Sequence, residues 1–182
     1  KLMRSYPSGE RVQSILAGKL FDVPTDQIVL GNGAAELISL LSAEISADLA
    51  MFGPTFEEYP TRFGQLEIDI KGSNTFSYSH QDIIEIAEGK NGVIIVNPDN
   101  PSGAYIDRQS LIKVIETLSA QGKYIILDES FVDFAEDGFE MSFLNRADLA
   151  RYPNLIVIKS IGKSYGVGGL RLGVMACSNQ IL

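Results

Sequence analysis

The chain alternates short apolar blocks with longer stretches in which apolar residues recur at intervals of three and four. The short blocks are QIVL (27–30), DLAMF (48–52), LEIDI (66–70), GVIIV (92–96), YIIL (124–127), LIVIK (155–159) and LRLGVMA (170–176). Most are apolar at consecutive positions, the pattern of strands buried on both faces. The stretches AAELISLLSAEI (34–45) and DRQSLIKVIETLSAQG (107–122) carry helical periodicity. Gly122 gives the second of them the residue favoured just past a helix end. SHQDIIEIAEG (79–89) predicts a shorter helix with Ser79 as its N-cap. Strands and helices in alternation predict an α/β domain around a mostly parallel sheet. No internal repeat, low-complexity tract or interior linker interrupts the pattern.

Totals narrow the classes. The 182 residues suit one domain with a substantial core, and 45% hydrophobic and 21% charged content is ordinary for a soluble protein. A net charge of -8 supplies no attraction for nucleic acid or an anionic membrane, and no apolar run is long enough to span a bilayer. The single Cys177 excludes an internal disulfide framework, and the lone His80 argues against a His-based metal site. A cytoplasmic enzyme fits these features. The start at Lys1 and the end directly after a strand-like stretch are expected of a portion of a larger protein.

The stretch SIGKSYGVGGLRLG (160–173) sets Lys163 and Arg171 among glycines. Its GKS imitates a P-loop, but such a loop needs a glycine five residues before Gly162, and Val157 stands there. GVGGLR from Gly166 and GNGAAE from Gly31 imitate the dinucleotide fingerprint, yet its last small residue is Arg171 in one and Glu36 in the other. The nucleotide readings therefore fail on their mechanical requirements.

Ligands of open α/β sheets gather beyond the carboxyl ends of the strands, and four such ends carry chemistry. After QIVL, GNGAAE opens a helix whose Ala34 and Ala35 amides make either an anion site or a plain turn. After GVIIV, NPDNPSG places Asn97 and Asn100 before prolines, which either aims an amide or merely stiffens a turn. After YIIL, Asp128 ends a buried strand, where a carboxylate needs a partner; it caps a turn or holds a cationic ring nitrogen. After LIVIK, Ser160, Lys163 and Arg171 offer a hydroxyl, an amine near positive charge and a bidentate grip on a dianion, unless they form a solvated surface loop. One cofactor uses the whole set. Pyridoxal 5'-phosphate asks for an anion cradle, a lysine for its aldehyde, a donor for its phenolic oxygen and a carboxylate for its pyridinium nitrogen.

With YPSGE, GNGAAE, PTFEEY, NPDNPSG, LDESFVDF and SIGKSYGVGGLRLG in this order, the chain resembles the class I/II aminotransferases of the aspartate aminotransferase fold. The resemblance is strongest to the branch that includes histidinol-phosphate aminotransferases and threonine-phosphate decarboxylases. It implies a three-layer α/β/α cofactor domain, the large domain of the fold type I pyridoxal-phosphate enzymes, here truncated, with the C-terminal small domain absent from residues 1–182. It implies that Lys163 forms the Schiff base and moves the proton, and that Asp128 holds the ring nitrogen. By the same resemblance Ala34, Ala35, Ser160 and Arg171 hold the phosphate, Asn100 meets the phenolic oxygen and Phe56 stacks on the ring. Tyr6 would reach the phosphate of a neighbouring subunit, which implies a homodimer.

Two positions depart from the pattern. Phe131 stands where many aminotransferases of the branch have a tyrosine, and the decarboxylase relative tends to have phenylalanine. Gly162 replaces a serine that donates to the phosphate. The first expectation is transfer of an amino group between a small, perhaps phosphorylated, amino compound and a 2-oxoacid. A decarboxylase on the same platform is the second, and a non-catalytic ligand sensor the third. The acidic run FVDFAEDGFE (131–140) reads as a solvated loop, His80 as a capping or surface residue and Cys177 as a small buried hydrophobe.

Overall fold

The structure, a computed structural model, describes residues 9–64, 66–70, 76–136 and 138–178. Seven strands form one sheet: β1 (Ile28–Asn32), β2 (Leu49–Gly53), β3 (Leu66–Ile70), β4 (Gly92–Val96), β5 (Tyr124–Asp128), β6 (Leu155–Ser160) and β7 (Leu172–Cys177). Their order is β1-β7-β6-β5-β4-β2-β3. Pairs from β3 through to β6 are parallel, and β7 is antiparallel to both of its neighbours. The sheet is mostly parallel, as the pattern of apolar blocks predicts, with β7 the one strand reversed.

Alternation along the central strands divides the core into two layers. Val93 and Ile95, Ile125 and Leu127, and Leu155 and Val157 face one side. That side is covered by α1 (Glu10–Phe21), α4 (His80–Ile86), α5 (Arg108–Ala120) and α7 (Arg146–Arg151). Ile94 and Val96, Ile126, and Ile156 and Ile158 face the other, under α2 (Gly33–Glu44) and α3 (Glu58–Arg62). This is the three-layer α/β/α arrangement. Cys177 is buried in the second layer.

The helix ends follow their sequences. Ser79 and Asp82 form a reciprocal capping box at the start of α4, and the Asp107 side chain accepts from the Ser110 amide to open α5. His80 is the first residue of α4; the cap is Ser79. α1 is missing from the sequence-based assignment for a visible reason. Its buried residues are Ala17 and Gly18, while Leu16 and Leu20 are 59% and 61% exposed. No apolar stripe marks its inner face.

The run 131–140 is more ordered than its acidity suggests. It holds a 3-10 turn (Val132–Phe134) and, from Gly138, α6 (Gly138–Met141), with Val132 buried. Asp133 accepts a hydrogen bond from Lys159 at 2.7 Å, so part of that acidity is paired with the sheet. Among the described residues no helix is long and apolar enough to cross a membrane.

Candidate active site

The candidate side chains Asp128, Ser160 and Lys163 lie at or just beyond the carboxyl ends of β5 and β6. At the end of β5, Asp128 is 1% exposed. Its Oδ2 accepts the Tyr59 hydroxyl at 2.8 Å and its Oδ1 accepts the Ser130 amide at 2.8 Å. Through the Ser130 amide it caps the turn that follows β5, as one of the two readings of the sequence has it, and its other partner comes from α3. Tyr59 is fully buried, and burial, followed by the charge of Asp128 and the hydrogen bond to it, pushes its phenol well above its ordinary ionisation range.

Lys163 lies in α8 (Ile161–Ser164), one short helix beyond β6. Its Nζ sits 4.0 Å from the centroid of the Phe131 ring and 5.2 Å from that of Phe56. Among the described residues no carboxylate lies within ion-pair distance of it. Desolvation lowers its pKa; the charge of Asp128 opposes that shift and Arg171 adds to it. The structure therefore places Lys163, Asp128 and Arg171 within electrostatic reach of one another. The amine thus sits over two aromatic faces, with burial drawing its basicity below that of an ordinary lysine.

The anion cradle is built where β1, α2 and β7 meet. Gly33 has φ +76°, a left-handed conformation open to glycine, and a Cβ there would stand 3.2 Å from Arg171 Nη2. On Gly173 a Cβ would come within 2.7 Å of the Ala34 nitrogen. Both glycines let backbone and guanidinium approach. Arg171 itself takes a left-handed φ of 48°, at a cost of about 1 kcal/mol for a residue with a β-carbon. That turn brings its side chain to the start of α2. Asn32 makes no side-chain capping bond there, and its own amide donates to Glu36 Oε2 at 2.6 Å, so the Asn32 side chain does not compete for the first-turn amides of Ala34 and Ala35. Ser160, half-buried at the end of β6, is held by donation of its amide to the Ser130 hydroxyl at 3.0 Å.

The loop after β4 is fixed from within. Asn97 donates its amide group to the Ile106 carbonyl and accepts from the Ile106 N–H, at 2.9 and 2.8 Å. Asp99 accepts from the Thr55 hydroxyl at 2.6 Å and from the Asn100 amide at 2.8 Å. Asn97 thus stiffens the loop, while Asn100 is exposed on it and shares with Phe131 a groove of about 830 Å³ that also includes Tyr105 and Phe134. Tyr6 lies outside the described residues.

A buried carboxylate, a desolvated lysine between two rings and an arginine at a helix N-terminus fit the three poles of pyridoxal phosphate: ring nitrogen, aldehyde and phosphate. Tyr59, the buried phenol bonded to Asp128, is the residue of the candidate site that the sequence analysis passes over. It stands three residues after Phe56 in PTFEEY, a spacing that puts both on one face of a helical turn, and this is the signal that points to it.

A family model for aminotransferase class I and II matches residues 11–182, and the chain belongs to that family. It is 32% identical over 182 residues to an L-serine phosphate decarboxylase of Sulfurospirillum multivorans, covering 95% of this chain and 46% of that protein. It is 31% identical over 183 residues to a histidinol-phosphate aminotransferase of Stutzerimonas stutzeri, covering 97% and 49%. The crystal structure of the histidinol-phosphate aminotransferase from Clostridium acetobutylicum superimposes with a TM-score of 0.80 at 26% identity, over 99% of this chain and 54% of that one. The chain spans about half the length of the relatives it matches.

Proposed function

We propose that this chain is the cofactor platform of a pyridoxal-phosphate-dependent aminotransferase that moves an amino group between a small amino compound and a 2-oxoacid. The observation that carries the reading is Lys163 set over the Phe131 and Phe56 rings within reach of buried Asp128. The Ala34 and Ala35 amides, Ser160 and Arg171 would hold the phosphate. Asp128 would hold the ring nitrogen, Phe56 would cover the ring and Asn100 would donate to the phenolic oxygen. When bound, the cofactor supplies an electron sink for the bond broken at the amine-bearing carbon. Lys163 Nζ would take the proton from that carbon and deliver it to the carbon that carried the cofactor's aldehyde oxygen, a role that its lowered basicity suits. The Asp128 carboxylate would favour positive charge on the ring nitrogen. A homodimer, with Tyr6 reaching across to a neighbour, belongs to the same proposal, as does the second domain.

Phe131 favours a second reading. Without a phenolic hydroxyl at that position the site has one donor fewer, and the serine-phosphate decarboxylase is among the similar relatives. Loss of carbon dioxide with no need for an oxoacid acceptor separates it from transamination.

The test is the full-length protein titrated with pyridoxal phosphate. Wild type acquires a visible absorbance band; Lys163→Ala removes it, and turnover falls by more than about a thousandfold. A band unchanged in Lys163→Ala defeats the reading.

A further inference from the structure

We infer that Tyr59 is a positioning residue: its hydroxyl fixes the rotamer and the charge distribution of Asp128, the carboxylate assigned above to the ring nitrogen. The inference rests on that assignment and deepens it.

Tyr59 is fully buried on α3, and its Oη lies 2.8 Å from Asp128 Oδ2. A phenol has a single proton to give, and here Asp128 receives it. With the Ser130 amide on Oδ1, each carboxylate oxygen has one donor and retains a lone pair. Asp128 is therefore oriented from two sides and still able to accept a third N–H.

The tyrosine ring is braced in turn. It stacks on Phe63 with centroids 6.3 Å apart and meets Phe56 edge-on at 6.4 Å. One side chain thus touches both the aromatic assigned to the ring face and the acid assigned to the ring nitrogen. A core tyrosine needs only some acceptor for its hydroxyl. This one is given the carboxylate that the chemistry uses, 69 residues away in sequence.

Among the described residues, three titratable groups face Asp128: Tyr59 from α3, Lys163 from α8 and Asp99 from the loop after β4. The charge on Asp128 strengthens the hold of Lys163 on its proton. Donation from Tyr59 spreads that charge onto a phenol and weakens the pull. Removing the hydroxyl concentrates the charge, so the lysine nitrogen holds its proton to higher pH.

The experiment uses the full-length protein loaded with pyridoxal phosphate, read by the pH midpoint of its visible absorbance change and by the cofactor concentration needed for half-saturation. Tyr59→Phe keeps the ring and its packing. It moves the midpoint upward by about half a unit or more and weakens cofactor retention by about tenfold. Neither change appears when Tyr59→Phe is added to Asp128→Asn, since no anion then remains to be tuned. Site-specific 3-fluorotyrosine at position 59, a stronger donor that preserves the fold, moves the midpoint downward. A midpoint unmoved by both variants, or moved equally in the Asp128→Asn background, overturns the inference. A wild-type protein that acquires no Lys163-dependent band overturns the cofactor reading and this inference together; a wild-type band unmoved at position 59 overturns this inference alone.

Discussion

Asp128 and Glu129 are adjacent in sequence, 1% and 2% exposed, and face opposite sides of the sheet. Asp128 belongs to the α2–α3 side, where its partners are one phenol and one amide. Glu129 belongs to the α5–α7 side. Its Oε1 accepts the Phe143 amide and its Oε2 the Ser142 hydroxyl, each at 2.6 Å. The same division runs through the end of β6. Lys159 pairs with Asp133, while Ser160, one residue on, donates its amide to the Ser130 hydroxyl and belongs to the candidate site.

Each oxygen of either carboxylate has one donor, so what separates the two regions is their amines: Lys159 is paired with Asp133, whereas among the described residues Lys163 has no carboxylate within ion-pair distance. Glu129 is enclosed by a network in which Arg108 donates to the carbonyls of Met141 and Ser142 and to Asp148, and lies 4.0 Å over the Phe143 ring. Glu129, Arg108, Ser142, Asn145 and Asp148 each have a protein partner, and the network ties the segment 141–148 to the sheet. Among the described residues Asp128 has no such cation paired with it, and its neighbour Lys163 is an uncompensated amine. Identical chemical types thus serve as a clamp on one face and as reactive groups on the other. The period of two along a strand decides which.

The sharpest test of this division is a pair of substitutions read by two measurements. Asp128→Asn preserves the local bonding, because an amide can accept from Ser130 and donate to Tyr59. Folding stability in urea therefore changes by less than about 1 kcal/mol, while turnover of the full-length enzyme falls by about a thousandfold through loss of the anion. Glu129→Ala does the reverse. At pH 6 it leaves the Phe143 amide and Ser142 hydroxyl unpaired in a buried place, costing about 3 kcal/mol of stability. Cofactor absorbance per folded molecule stays as in wild type. If Glu129→Ala removes the band from a folded protein, the two faces are not separate.

Next in size is a pH effect. Burial lifts the Glu129 carboxyl from 4.5 to about 7, against the opposing pull of Phe143, Ser142, Lys159 and Arg108. Between these two values the folded protein holds a proton that the unfolded chain has released. The Glu129 contribution is present in full below pH 4.5 and is lost as pH rises through 7. Stability falls across this window by on the order of 2 kcal/mol. Urea midpoints from pH 4.5 to 8 should show the decline in wild type and a flatter profile in Glu129→Gln. A decline of equal size in both proteins would assign it to other groups.

The strands were the legible part of the fold. GVIIV and LEIDI match β4 and β3 to the residue, and the α2, α4 and α5 assignments differ from the observed ends by no more than three residues. Buried strands announce themselves because both faces must be apolar, and α5 does because its stripe is wide. The site was legible to the extent that its residues sit at strand ends or share a fixed spacing, as Ser160, Lys163 and Arg171 do. Its supporting partners were not. The contacts of Tyr59 with Asp128, of Glu129 with Phe143 and of Lys159 with Asp133 join residues 14 to 69 positions apart. No local pattern encodes such pairs. For the same reason FVDFAEDGFE reads as a loop until Lys159 is seen to anchor it.

The smallest expected effect concerns that anchor. The Lys159 side chain is 7% exposed, but Asp133 is 29% exposed and keeps access to water. Replacing the lysine therefore strands no buried charge at Asp133. Lys159→Met retains the packing of the stem and loses one partly screened ion pair, a cost of about 1 kcal/mol in urea denaturation. The pair also holds the 3-10 turn Val132–Phe134, and the ring of Phe131, just before that turn, lies under Lys163. Two outcomes can be told apart by the visible band of the loaded full-length protein. If the clamp face only stabilises the fold, the band keeps its position and amplitude in Lys159→Met. If the turn relays the pair to Phe131, the band shifts although the loss of stability is small, and the sheet no longer insulates the two regions from each other.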